Sequence, residues 1–121
     1  MSIINTILIV LIALEFLFIF YLETIATRSA LTARTFAMEE EELKRPSVNL
    51  LFKNQGVYNA LIAVLLLLTR FALRSRSAVL LLLGYIILVA VYGGISSQPK
   101  LILKQGGLAM LAFVLISIFG L

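Results

Sequence analysis

Four apolar runs, each close to the length of a bilayer span, set the limits on what this chain can become. A spanning helix needs about 20 residues. Ile3 to Leu22 supplies the first run. The mainly apolar part of the second, Val57 to Thr69, is too short alone, so the helix must draw in flanking residues. In hydrocarbon every backbone N–H and C=O must be satisfied within the segment, which leaves helices as the spanning form for runs of this kind. The predicted fold is therefore all-α: an antiparallel four-helix transmembrane bundle in one domain, with helices over about 3–23, 51–73, 78–95 and 101–121 and a long loop over 24–50. Composition agrees. Of the 121 residues 62% are hydrophobic and 13% charged, with a mean hydropathy of +1.12, whereas soluble domains run nearer 45–50% apolar and 25% charged.

The first run carries the anomaly. Glu15 lies in it and Glu23 directly follows it, and a charge at the centre of a span costs roughly 2.5–3.5 kcal/mol on insertion scales. Nothing in helix formation requires these groups, so they need partners. Measured from the bilayer edge shared by the first and third loops, Glu23 sits at the edge. Asn54, Gln55, Gln105 and Tyr92 fall close to it, Tyr58 and Asn59 lie one to two turns in, and Glu15 and Tyr85 about 13–15 Å in. The other half of the bilayer, along Leu61 to Leu68, Leu80 to Leu83 and Phe113 to Phe119, is nearly all apolar. Asn54 and Tyr58 are four apart, as are Gln55 and Asn59, so each pair stacks on one side of a helix. These nine residues predict a polar cavity in one half of the membrane that binds a ligand or a proton. At its centre Glu15 could carry a proton, bind a cation, or accept hydrogen bonds from Asn59 or Tyr85. Glu23, nearer water, is expected to pair with Arg28 or Lys53. The plainer reading keeps Glu15 as a hydrogen-bonding clasp between helices, and the four tyrosines as interface or packing residues.

Several classes of chemistry fall away. The chain has no Cys and no His, which removes disulfides, nearly all transition-metal sites and the Ser-His and Cys-His catalytic pairs. No catalytic residue, metal site or cofactor is assigned. The net charge of +4 fits membrane anchoring rather than nucleic acid, because the basic residues lie between the apolar runs. Arg70 is expected at the end of the second span, snorkelling to the headgroups. Seven Lys and Arg (Arg28, Arg34, Lys44, Arg45, Lys53, Lys100, Lys104) flank one side and three (Arg70, Arg74, Arg76) the other. That bias places loops 24–50 and 96–100 in the cytoplasm and both termini outside a multi-pass cell-membrane protein. The segment 24–50 reads as a solvated loop helix, with Glu39 to Glu42 facing water and an end before Pro46. Gly56, Gly93, Gly94, Gly106 and Gly107 are expected to let helices approach closely.

Lys53-Asn54-Gln55-Gly56 opens the second helix and Lys104-Gln105-Gly106 the fourth, a weak sign of two related helical hairpins. Taken together, Leu14-Glu15, Tyr21-Leu22-Glu23, Asn54-Gln55-Gly56-Val57-Tyr58-Asn59, Tyr92-Gly93 and Lys104-Gln105-Gly106 resemble the bacterial integral membrane family DUF1304. The resemblance runs over essentially the whole chain, and the Asn-Gln-Gly-x-Tyr-Asn block is its most specific part. The Glu39 to Glu42 run and Pro46 depart from the family pattern. The resemblance implies an inner-membrane fold with Glu15, Glu23, Asn54, Gln55, Tyr58 and Asn59 as its signature, and it selects no activity.

Three functions follow from the residues. The first is a small-solute or proton-coupled transporter, or a transporter-like binding protein, that works as a homodimer with Glu15 as the coupling carboxylate. The second is an accessory or scaffold subunit that docks a larger membrane protein through Gly106, Ala109 and Ala112. The third is a lipid-modifying membrane enzyme with Glu15 and Glu23 as acid and base. The lipid bilayer is a partner in all three, and nucleic acid in none.

Overall fold

The computed structural model describes residues 3–97 and 99–120. The secondary structure found there is helical, with no strand among the described residues. Among the described residues six α-helices follow one another: α1 (Ile3–Phe20), α2 (Ala30–Phe36), α3 (Glu40–Leu43), α4 (Pro46–Leu67), α5 (Arg76–Ser96) and α6 (Lys100–Phe119). π-helical turns extend α1 over Tyr21–Ile25 and α4 over Leu68–Ala72. Four segments are long and apolar enough to cross a membrane: Ile3–Ile25, Pro46–Ala72, Arg76–Ser96 and Ile102–Phe119. The second begins at Pro46, earlier than expected, because proline is preset for the first position of a helix and loses no hydrogen bond there. Leu121, the expected end of the fourth span, and Gln98 in loop 96–100 lie outside the described residues.

The chain divides into two compact units, Leu14–Ala63 on its own and Met1–Ala13 with Val64–Leu121. In the second of these, α5 and α6 form an antiparallel hairpin. Val79, Leu83, Ile86, Ala90 and Gly94 recur at spacings of three and four and are all buried, a stripe that stays on one side of a helix. Ala109, Ala112 and Ile116 answer them from α6. Small residues set the approach. A methyl on Gly106 would meet Ala90 at 3.1 Å and the Met110 methyl at 3.2 Å, and one on Gly94 would run into Ile102. Gly107 faces open space, so only its neighbour has the role expected of both. Gly106, Ala109 and Ala112, the face expected to dock a partner, are buried inside this chain's own hairpin. Arg76 closes the pair by donating to the carbonyls of Ile116 (3.3 Å) and Ser117 (2.5 Å).

Arg70 departs from expectation in the same unit. It does not snorkel outward. It is 2% exposed, and its Nη2 donates to Thr6 Oγ1 at 2.8 Å. The widened turn at Leu68–Ala72 is the local cause, since an inserted residue alters which way the following side chains face.

In the unit Leu14–Ala63, the segment between the spans is helical over α2 and α3 and largely exposed, but a few of its side chains fold onto the spans. Leu43 and Ala33 are buried, and the Phe36 ring meets Phe52 of α4 edge to face at 5.5 Å. The apolar positions scattered through this segment are what bring it down. Ser29 caps α2 by accepting from the Thr32 N–H at 3.1 Å. The helix ends on Ala37 in the left-handed region (φ 53°), with Met38 N–H bonding back to Ala33 O at 2.8 Å, the hydrogen-bond pattern of a Schellman cap. The acidic run stays in water, where Glu41 pairs with Lys44 and Glu42 with Arg45, each at 3.4 Å.

Candidate functional site: a carboxylate held by two carboxamides

The first span does not run as one regular α-helix. At Tyr21–Ile25 it widens, and the Ala26 N–H reaches back five residues to Tyr21 O at 2.8 Å. A widened turn breaks the regular ladder and leaves carbonyls in need of donors. Hydroxyl groups from the following segment serve them. Thr27 Oγ1 donates to Glu23 O at 2.6 Å, and the Thr32 hydroxyl lies 3.0 Å from Leu22 O and 2.7 Å from Ala26 O. Thr27 and Thr32 are both buried. Sequence reasoning missed these two threonines. The available signal was a pair of hydroxyl residues immediately after an apolar run, where unpaired helix-end carbonyls would be expected.

The same turn carries Glu23, which is fully buried. Its Oε2 accepts from Gln55 Nε2 at 2.6 Å and its Oε1 from Asn59 Nδ2 at 2.5 Å. Gln55 and Asn59 stand one turn apart on α4, so one face presents a donor to each carboxylate oxygen. Gly56 makes the approach possible. A methyl there would strike the Thr24 hydroxyl and come within 3.1 Å of Glu23 Cβ. Beside it Thr24 Oγ1 donates to Lys53 O at 2.9 Å, and Lys53 Nζ to Thr24 O at 3.2 Å. Glu23 thus takes the place expected of Glu15. Asn59 donates to Glu23 rather than to Glu15, and among the described residues no ion pair joins Glu23 to Arg28 or Lys53. Carboxamides reach Glu23 because they share its depth and face, while the Lys53 amine is anchored on a backbone carbonyl.

Glu15 lies two helical turns further along α1. One of its carboxyl oxygens is buried with no hydrogen-bond partner. An unpaired buried polar atom is costly and calls for a reason. Asn54 is exposed, and Tyr58, one turn from it, is 70% exposed. Gln55 is exposed too and Asn59 half-buried, and what sets that side of α4 apart is its two hydrogen bonds to Glu23. Tyr85, Tyr92 and Gln105 belong to the other unit. There Tyr85 is 53% and Tyr92 72% exposed, and Gln105 is half-buried. Of the nine residues expected to share a cavity, the structure joins Glu23, Gln55 and Asn59 by hydrogen bonds.

Comparison with known proteins agrees with the resemblance seen in the sequence. The chain is 54% identical over 115 residues to the uncharacterized protein YpaA of Lactococcus lactis subsp. lactis (strain IL1403), a match that covers 94% of this chain and 97% of the relative. No solved structure matches it. Residues 10–117 match the family described as protein of unknown function (DUF1304), and the chain belongs to that family.

Proposed function

We propose that the chain is a transporter-like binding protein of the cell membrane, with Glu23 as its principal polar group. The observation that carries this reading is the buried Glu23 carboxylate, held at both oxygens by Gln55 and Asn59 within the first span. A membrane-embedded carboxyl is expensive and usually marks a route for protons or solutes. Two neutral donors hold such a group in place without fixing its charge, so it remains free to exchange a proton or to meet a cationic or hydrogen-bonding solute. Glu15 stands on the same helix about 12 Å away by helical rise. Its unpaired oxygen suits a second station rather than a packing element. In this reading Asn54 and Tyr58 flank the route. Four spans are few for a transporter, so the working unit is a homodimer. The excess of Lys and Arg puts loops 24–50 and 96–100 on the cytoplasmic side and the termini outside.

The test is reconstitution into liposomes with an internal pH-sensitive dye and an imposed proton gradient. The native protein should carry proton flux above empty vesicles. Glu23→Gln keeps the size and removes the titrating group, and its NH2 can be met by flipping one of the two facing carboxamides, so flux should fall to background while the helical circular dichroism stays native. Glu15→Gln should slow it. Equal flux in the native protein and Glu23→Gln would overturn the reading, as would no flux from the native protein.

A further inference from the structure

The unit Leu14–Ala63 also contains a pocket that the Glu23 cluster does not use. It lies at the end of the first span, where the chain leaves the widened turn, and has a volume of about 260 Å3. Thr27, Arg28, Ser29, Asn49 and Lys53 supply its polar lining and Ile25 part of its apolar wall. No carboxylate lines it. Among the described residues Arg28 and Lys53 form no ion pair, although the nearby acidic run pairs with Lys44 and Arg45. The Lys53 amine gives one hydrogen bond to the Thr24 carbonyl and keeps two donors free. Arg28 and Lys53 are both exposed, while Asn49 is 8% exposed and held by a bond from its Nδ2 to Leu43 O at 3.3 Å.

We propose that this pocket binds a phosphate group through Arg28 and Lys53. A planar guanidinium recognises phosphate through two parallel hydrogen bonds, and an ammonium adds a point charge. The location favours this chemistry, because Ile25 closes a membrane-spanning segment and the bilayer's own phosphates lie at the level where such a segment ends. The phosphate comes either from an anionic lipid headgroup or from a free phosphate ester. The proposal does not require Glu23 to carry a proton.

The experiment uses the full chain in phosphatidylcholine nanodiscs at fixed salt. One arm replaces part of the lipid with phosphatidylglycerol and reads retained lipid by native mass spectrometry. The other titrates sn-glycerol 3-phosphate by calorimetry. Arg28→Gln with Lys53→Gln should weaken the bound species by about tenfold or more, given about fivefold per removed charge near a membrane surface. Ala26→Leu, which fills the pocket and leaves every charge in place, should weaken it comparably and keeps the test open if the double variant does not fold. Arg34→Gln with Lys44→Gln removes the same charge from outside the pocket and should cost less than about twofold. Binding in the lipid arm alone names a headgroup, and binding in the ester arm alone names a soluble ligand. Either supports the site. Equal losses in the two charge-removing pairs would mean diffuse surface attraction and overturn it. Unchanged binding in Ala26→Leu, or no binding in either arm, would do the same.

Discussion

Glycine brings helices together in both units of this molecule, with opposite results. In the α5–α6 hairpin, Gly94 and Gly106 face Ile102, Ala90 and Met110, and the close approach makes a dry apolar seam. Between the first and second spans, Gly56 faces Thr24 and Glu23, and the same closeness brings a carboxylate to two carboxamides. The charges divide in the same way. Of the six acidic residues, Glu15, Glu23 and Glu39 to Glu42, all lie between Leu14 and Ala63. The other unit has Arg70, Arg74, Arg76, Lys100 and Lys104 and no Asp or Glu. A small residue therefore indicates how near two helices come, and the neighbours it admits decide whether that nearness is packing or a site.

The strongest challenge to this contrast is Glu23→Leu. It leaves the exposed Gln55 and half-buried Asn59 carboxamides without their acceptor. A hydrogen bond to a charged group is worth about 1.5–3 kcal/mol and less where a partner meets solvent, so the loss should be about 2–3 kcal/mol for the two, seen as a lower thermal midpoint in detergent, while Glu23→Gln should lose less, because one flipped carboxamide restores both bonds. A similar loss in both would mean that the carboxamides contribute little. Next comes Gly56→Ala, expected to cost about 2 kcal/mol as an overpacked contact. Gly107→Ala, facing open space, should be neutral or slightly stabilising. Equal effects at the two positions would erase the distinction between a contact glycine and a bystander.

Glu15→Leu should act in the opposite direction. It removes a buried oxygen that has no partner, so stability should rise by about 1–2 kcal/mol while proton flux slows. A loss of stability would show that Glu15 is a structural clasp. Ala37→Gly is expected to give a small change, a gain of up to about 1 kcal/mol, because the left-handed cap of α2 suits a residue without a Cβ. The same melting measurement checks it.

Much of this was legible in the sequence, for reasons that can be named. Run length and hydropathy marked four spans because backbone satisfaction in lipid leaves few alternatives. The spacing of Gln55 and Asn59 placed them on one face because helical periodicity is strict. The choice of partner was not legible. Glu23 had Arg28 and Lys53 near it in depth, and charge alone favoured them, but the Gly56 approach gives the place to carboxamides. The fate of Arg70 was hidden for a related reason. An arginine at the end of an apolar run reads as a snorkelling anchor, and only the widened turn at Leu68–Ala72 accounts for its direction. Both π turns were invisible because no periodicity within the run announces them, and the first is completed by hydroxyls that follow it, Thr27 and Thr32.

The widened turn at Tyr21–Ile25 also acts as a phase shifter. Each residue of a regular α-helix advances the chain by about 100°, so excising one residue from this turn would restore the regular period and swing the parts on either side against each other by about that angle. Glu23 could then no longer meet both of its carboxamides while Glu15 kept its present heading. Along this stretch the number of residues should matter more than their identity, and a one-residue deletion should do more harm than any single replacement of Tyr21 or Ile25.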